Sequence, residues 1–130
     1  MKPKKVGCLT RQVAELLQLD ISSDVGIFIG ESNIRHMISK HRVAYEKYGL
    51  YIEEILQYPD YVGLNTKDES IEYVKEFRIE NEYVKVAVRV SGSGAFYARS
   101  LYVLNNNRVR NFIEKGALKP LTNQAKHDKM

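Results

Sequence analysis

The segment SNIRHMISKH, residues 32–41, places two histidines and two fixed cations within ten residues. Imidazole is the side chain whose ordinary pKa lies nearest neutrality, so His36 and His41 are candidates for general acid–base work. Five residues along a helix amount to about 140° of rotation, so the two rings leave different faces. A helix-borne zinc pair needs i, i+4 spacing and further ligands. The single cysteine, Cys8, cannot complete such a set, and the third histidine, His127, lies in a polar C-terminal tail and is given no role. No metal and no cofactor are therefore expected. His41 continues the stripe of Ile34, Met37 and Ile38, which places it at the core boundary near the helix end, whereas His36 falls on the polar flank. Each ring also has a plain structural reading, as a helix cap or a hydrogen-bonded boundary histidine. Residues 32–41 alone leave both readings open.

A second group of chemistry-bearing residues lies in YVKVAVRV, residues 83–90. Val84, Val86, Val88 and Val90 share one strand face, so Lys85, Ala87 and Arg89 point the other way. Two long cations flanking a methyl make a shallow positive trough, suited to a phosphate whose sugar or base rests on Ala87. The plain alternative is a solvated strand face, or a cation row that blocks edge pairing. The strand that returns, AFYARSLYVL at residues 95–104, has a register that spacing does not settle. With an even loop, Lys85 faces Ser100, and Phe96, Ala98, Ser100 and Tyr102 share the cationic face. With an odd loop, Tyr97 and Arg99 join Lys85 and Arg89. A bulge would deliver both Arg99 and Ser100 to one site.

Other patterns are poor. No glycine-rich loop precedes a Lys-Ser/Thr pair, and Ser91 and Ser93 in VSGSGA lack the strand–turn–helix setting of a hydrolase nucleophile. Glu53 and Glu54 are helical neighbours that diverge into solvent.

The elements that must position these groups follow from periodicity. Thr10 caps a short helix with Val13, Leu16 and Leu17 on one stripe. VGIFIG, residues 25–30, is a short strand, and Ser32 caps the helix that carries the histidines. A further helix runs from Tyr51 to about Gln57 and stops at Pro59. YVGLN is then a short strand, TKDES a turn, and Ile71, Tyr73, Phe77 and Ile79 alternate with charged residues. After the 84–104 hairpin, NNNRVRNFIEKG forms a helix on Val109, Phe112 and Ile113, ended by Gly116. The pattern predicts an α+β fold: N-terminal helices packed on one face of a roughly four-stranded antiparallel sheet, with a C-terminal helix. The other face is left to solvent or ligand. Residues 1–121 form one domain, and residues 122–130 are a polar, frayed tail.

The chain has 130 residues, enough for one buried core. Its composition, 44% apolar and 28% charged, is that of a globular protein rather than a disordered one. A formal charge of +4 leans mildly toward a polyanionic partner. Nine tyrosines and no tryptophan offer stacking surfaces, although most tyrosines sit at core edges. One cysteine excludes an internal disulfide and suits a reduced, cytoplasmic setting. MKPKK is like the start of a leader, but Arg11 interrupts the apolar run that would follow, and no run approaches membrane-spanning length.

Together, VGCLTRQVAELLQLD, IFIGESNIRHMISKH, YPDYVGL, VKVAVRVS and ARSLYVLNNNRVRNFIEKGALKPL resemble the phage-associated branch of the barnase–EndoU–colicin–RelE-like nucleases. The resemblance runs from about Lys5 to Leu121, and its most specific elements are the two histidines and the Arg-Ser-Leu-Tyr strand. It implies a metal-independent ribonuclease, toxin-like or phage-associated, in which the ribose 2′-hydroxyl attacks the adjacent phosphate and leaves a 2′,3′-cyclic phosphate. His36 and His41 would be base and acid, in an order the resemblance leaves open. Arg89 and Arg99, with Lys85, would hold the phosphate, and Ser100 would donate to a non-bridging oxygen. Tyr102 would stack on a base or take part in proton transfer, and Tyr97 would line the substrate side. The implied partners are RNA and a cognate inhibitor or immunity protein, in the cytoplasm of the producing cell or of a bacterial target. The alternative is a non-catalytic nucleic-acid-binding or protein-interaction module on the same fold.

Overall fold

A computed structural model describes residues 2–21 and 24–121. The expected polar tail, with His127, lies outside the described residues. The sheet has seven strands rather than four, in the order β1-β2-β6-β5-β4-β3-β7. In chain order the strands are β1 (Lys4–Leu9), β2 (Val25–Ile29), β3 (Tyr61–Leu64), β4 (Ile71–Phe77), β5 (Glu82–Val90), β6 (Phe96–Leu104) and β7 (Lys119–Pro120). The helices are α1 (Arg11–Leu16), α2 (Glu31–Lys40), α3 (Arg42–Tyr48), α4 (Ile52–Gln57) and α5 (Asn106–Glu114), with a 3-10 turn, Gly49–Tyr51, ahead of α4. The mixed α+β class holds, and the β3–β4–β5–β6 meander is antiparallel as expected.

The added strands lie at the margins of the sheet. β1 hides its alternation behind Lys4, Lys5 and Gly7, so KKVGCL looks like a leader rather than an edge strand. It pairs antiparallel with β2, and β2 pairs parallel with β6. β7 is two residues long and pairs with β3 after a turn at Gly116, whose φ of 81° suits glycine. Helix α4 touches β1 and also β4 and β5, which lie far apart in the strand order, so the sheet curls around it.

The valines fill the core as their spacing demands. Val84, Val86 and Val88 are fully buried with Leu101, against Met37 of α2, Tyr48 of α3 and Ile55 of α4. Val90 and Ile79 leave the pattern and are exposed, Ile79 because β4 has already ended in a turn. Thr10 caps α1 as expected, its side chain accepting from the Val13 N–H. Helix α2 begins two residues earlier than its serine suggests: Gly30 is the cap residue, and its N–H donates to Asn33 Oδ1 at 2.8 Å. Helix α3, hidden in a run of charged and aromatic residues, is tied to the β4–β5 turn. Lys47 pairs with Glu80 at 3.0 Å and Glu82 at 2.9 Å, and the Tyr48 hydroxyl donates to Glu82. Burial, with the Glu82 carboxylate adding, pushes the Tyr48 pKa up to about 12. No helix among the described residues is long and apolar enough to cross a membrane.

The expectation that helices cover one face only is corrected by α5. Side chains that alternate away from the valines (Val74, Tyr83 and Leu104) meet Val109, Phe112 and Ile113 of α5 in a second apolar cluster. An apolar helical stripe must be buried somewhere, and here it covers one end of the second face.

Gly63 of β3 shows how tightly that end closes. A Cβ there would lie 2.5 Å from the Ala117 carbonyl oxygen, a backbone atom that cannot swing aside. Gly63→Ala should therefore cost about 1–3 kcal/mol of stability, visible as a lower thermal midpoint.

Candidate functional site

Positioning begins where β2 stops. Strand β2 pairs with β6 only at Ile27–Phe96 and Phe28–Tyr97. Gly30 then turns the chain into α2, which packs along β6 and takes the place the strand has vacated. Both histidines are thereby carried beside the returning hairpin strand, although some sixty residues of sequence separate them from it. His36 is exposed on α2. His41 is exposed as well, which corrects its expected place at the core boundary. It is the residue between α2 and α3, with φ −143° and ψ 62°, so the helical stripe ends before reaching it.

The hairpin resolves its register by a bulge. Lys85 pairs with Tyr102 and Ala87 with Ser100, but Val88 then pairs with Ala98 and Arg89 with Tyr97. Arg99 is the extra residue. Cross-strand partners share a face, so Lys85, Ala87, Arg89, Tyr97, Ser100 and Tyr102 all look out on one side. On one side of the bulge Ser100 and Tyr102 share the cationic face as an even loop requires, although Ser100 stands opposite Ala87 and not Lys85; on the other side Tyr97 joins Arg89 as an odd loop requires. Phe96 and Ala98, opposite Val90 and Val88, face the valine side instead.

A cleft of about 740 Å³ opens between this hairpin and the start of α2. Its walls include Arg35 and His36 from α2, Tyr97 and Arg99 from β6, and Ser91 and Ser93 from the hairpin loop. Arg35 pairs with Glu31 at 3.2 Å, both groups well exposed. The Ser91 and Ser93 hydroxyls lie 2.8 Å apart. Arg35 and Glu31 carry no role in the sequence reading; adjacency to His36 is the signal that could have marked Arg35. Among the described residues no three His, Cys, Asp or Glu side chains converge.

Further along the same face the aromatic rings meet. His41 stacks on Tyr102 with ring centres 4.8 Å apart and planes 24° apart. Lys85 Nζ lies 4.6 Å from the centre of the Tyr102 ring. The expected open trough is closed at this point. Lys85 is only 8% exposed and forms a 2.9 Å ion pair with Glu72, whose Oε2 also accepts from Asn65 Nδ2 at 3.4 Å. Burial pulls the Lys85 pKa down, but its hydrogen bonding to Tyr102 and Glu72 outweighs this and holds the ammonium above the usual lysine range. The cations left facing solvent on these strands are Arg89, exposed, and Arg99, half-buried; neither has a carboxylate partner among the described residues. Asp68 stands in the field of Arg89, but its pKa is lowered mainly by hydrogen bonds from Ser70.

Removing one member of a buried pair strands the other. Lys85→Met should cost about 3 kcal/mol or more by leaving Glu72 uncompensated, and Lys85→Met with Glu72→Leu should recover most of it. Because the folded-state pKa of Lys85 is raised, its stabilisation is present below the ordinary lysine range and is lost as pH rises through the folded value. Chemical denaturation near neutrality and at strongly alkaline pH measures both effects.

No curated protein and no solved structure matches the chain. A family profile does: the one described as phage-Barnase-EndoU-ColicinE5/D-RelE like nuclease 3 matches residues 4–111. That match takes in β1 through most of α5, including both histidines and the whole β5–β6 hairpin. The chain belongs to this phage-associated family of barnase–EndoU–colicin–RelE-like nucleases.

Proposed function

We propose that the protein is a metal-independent endoribonuclease that cleaves RNA by transesterification. The observation that carries this reading is the cleft where His36, an ionisable ring on a helix, and Arg99, a fixed cation on a strand, line the same space. Cleavage of this kind needs a base to take the proton of the 2′-hydroxyl and an acid to protonate the departing 5′-oxygen. The 2′-oxygen attacks phosphorus, the bond to the 5′-oxygen breaks, and a 2′,3′-cyclic phosphate and a 5′-hydroxyl remain. His36 and His41 exchange these protons. His36 does so from the cleft wall and His41 from its stack on Tyr102.

Negative charge grows on the non-bridging oxygens as the fifth bond forms, and preorganised donors aimed at it lower the barrier. Arg99 and Arg89 supply fixed charge, and Ser100 donates its hydroxyl. Tyr97 and Tyr102 give flat surfaces for bases. Lys85 acts through the Tyr102 ring and its pair with Glu72 rather than by reaching the phosphate. The chain would meet its RNA in a cytoplasm, its own or that of a bacterial target, and a cognate inhibitor would cover the cleft.

The purified protein should cleave single-stranded RNA in excess EDTA, leaving cyclic phosphate ends detectable by mass spectrometry. His36→Ala together with His41→Ala should lower the rate by at least about 10²-fold while RNA binding persists. Arg99→Ala should lower kcat by about 10²-fold through loss of charge at the phosphate. Intact RNA bound by the wild-type protein would support the non-catalytic binding module instead.

A further inference from the structure

The face that carries Arg99, Ser100 and Tyr102 runs into α5, and there the helix breaks a local rule. A helix N-terminus carries partial positive charge, so its first turn favours acids and disfavours cations. The first turn of α5 holds no acid. Its third residue is Arg108, whose N–H is capped by the Asn105 side chain. Among the described residues no carboxylate pairs with Arg108; its guanidinium lies 5.9 Å from the centre of the Phe112 ring. A cation that opposes the dipole and finds no internal counter-charge points to an external one.

The helix also fixes which way that cation looks. Val109 is fully buried. Asn106 Nδ2 donates to the Asn81 carbonyl at 3.3 Å, so the flank shared by Asn106 and Arg110 faces the β4–β5 turn. Arg108, Phe112 and Lys115, spaced i, i+4, i+7, form the opposite flank. Moving along β5 away from Asn81, the outward residues are Tyr83, Lys85 and Ala87. The Arg108 flank therefore looks along the sheet toward Lys85 and Tyr102. Phe112 is half-buried, and Arg108 and Lys115 are exposed.

We propose that this flank of α5 is a second subsite, taking a phosphate and a base of single-stranded RNA several nucleotides from the scissile bond. Arg108 and Lys115 hold phosphate oxygens, and the Phe112 ring with the Arg108 guanidinium offers a stacking platform. Leu104, the last residue of β6, lies about 17 Å along the strand from Arg99 at about 3.4 Å per residue, so an occupant touching both ends is a strand and not one nucleotide. The subsite rests on the ribonuclease reading above, since it extends the same strand beyond the cleft.

The test uses the full chain and fluorescent oligonucleotides methylated at every 2′-oxygen, which cannot be cleaved by the proposed route. A twelve-nucleotide and a three-nucleotide probe are titrated at several salt concentrations against wild type, Arg108→Gln, Lys115→Gln and Arg110→Gln. Arg108→Gln and Lys115→Gln should each weaken binding of the long probe several-fold. Each should make its salt slope shallower by about 0.7, the value for one phosphate contact on a single strand. The short probe should bind as before. Arg110→Gln removes the same charge from the other flank and should leave both probes unaffected. Thermal midpoints should be unchanged, or higher for Arg108→Gln because a cation leaves the positive helix end. Long-probe binding by Arg108→Gln equal to wild type, or an equal loss in Arg110→Gln, overturns the subsite while the ribonuclease reading survives. A wild-type protein that binds neither probe overturns both.

Discussion

One extra residue in the pairing of β5 and β6 sets the geometry of everything beside it. Without Arg99 as a bulge, the alternation of β6 would send either Tyr97 or both Ser100 and Tyr102 to the valine face, and the outward surface would lose those groups. With it, Lys85, Ala87, Arg89, Tyr97, Ser100 and Tyr102 share one side. The bulge sits where β6 also loses its other neighbour: β2 pairs as far as Tyr97, and α2 takes over beyond it. A strand with a partner on one side only can bend and gain twist at low cost in lost hydrogen bonds. Two irregularities coincide there, and the cleft opens between them.

The legible part of the fold is the part written in local periodicity. The valine alternation of β5, the Thr10 cap, the stripe of α5 and its Gly116 terminator need only near neighbours, and each falls where spacing puts it. β1 was illegible because an edge strand of Lys-Lys-Val-Gly-Cys-Leu has little alternation to show, and Gly7 is there to admit Leu56 rather than to turn. α3 was illegible because its anchors, Tyr48 and Lys47, find their partners at Glu80 and Glu82, far along the chain. The site divides in the same way. Residue types and the open register could be stated, but the bulge depends on how β2 and α2 share the edge of β6. The neutralisation of Lys85 depends on Glu72, on a strand whose register against β5 no local pattern reveals.

The distribution of charge matters more here than its sum. A net charge of +4 leans only mildly toward a polyanion and does not say where one would bind. Seven lysines and arginines pair with carboxylates among the described residues: Lys4 with Glu53, Arg35 with Glu31, Arg42 with Glu46, Lys47 with Glu80 and Glu82, Lys75 with Glu54, Arg78 with Glu76 and Lys85 with Glu72. Arg89, Arg99 and Arg108 have no such partner among the described residues, and all three lie on the side of the sheet away from the valines or on the helix that covers it. A few unpaired cations gathered on one face produce a stronger local field than the same number spread evenly.

That face does two jobs, and α5 separates them. At one end Val109, Phe112 and Ile113 bury Val74, Tyr83 and Leu104, so the sheet behaves as ordinary core. At the other end no helix among the described residues covers the outward residues of the hairpin, which lie beside the flank of α2. Lys85 stands at the boundary, too buried to remain unpaired and too close to Tyr102 to be indifferent to it. Glu72 resolves the conflict by supplying a counter-charge from the next strand. His41 then stacks on a Tyr102 ring whose neighbouring ammonium is neutralised, while Arg89 and Arg99 on the same strands have no carboxylate partner among the described residues. A sheet face covered along its whole length would have had no room for a site, and one left bare would have had no core to hold β3, β4 and α5 in place.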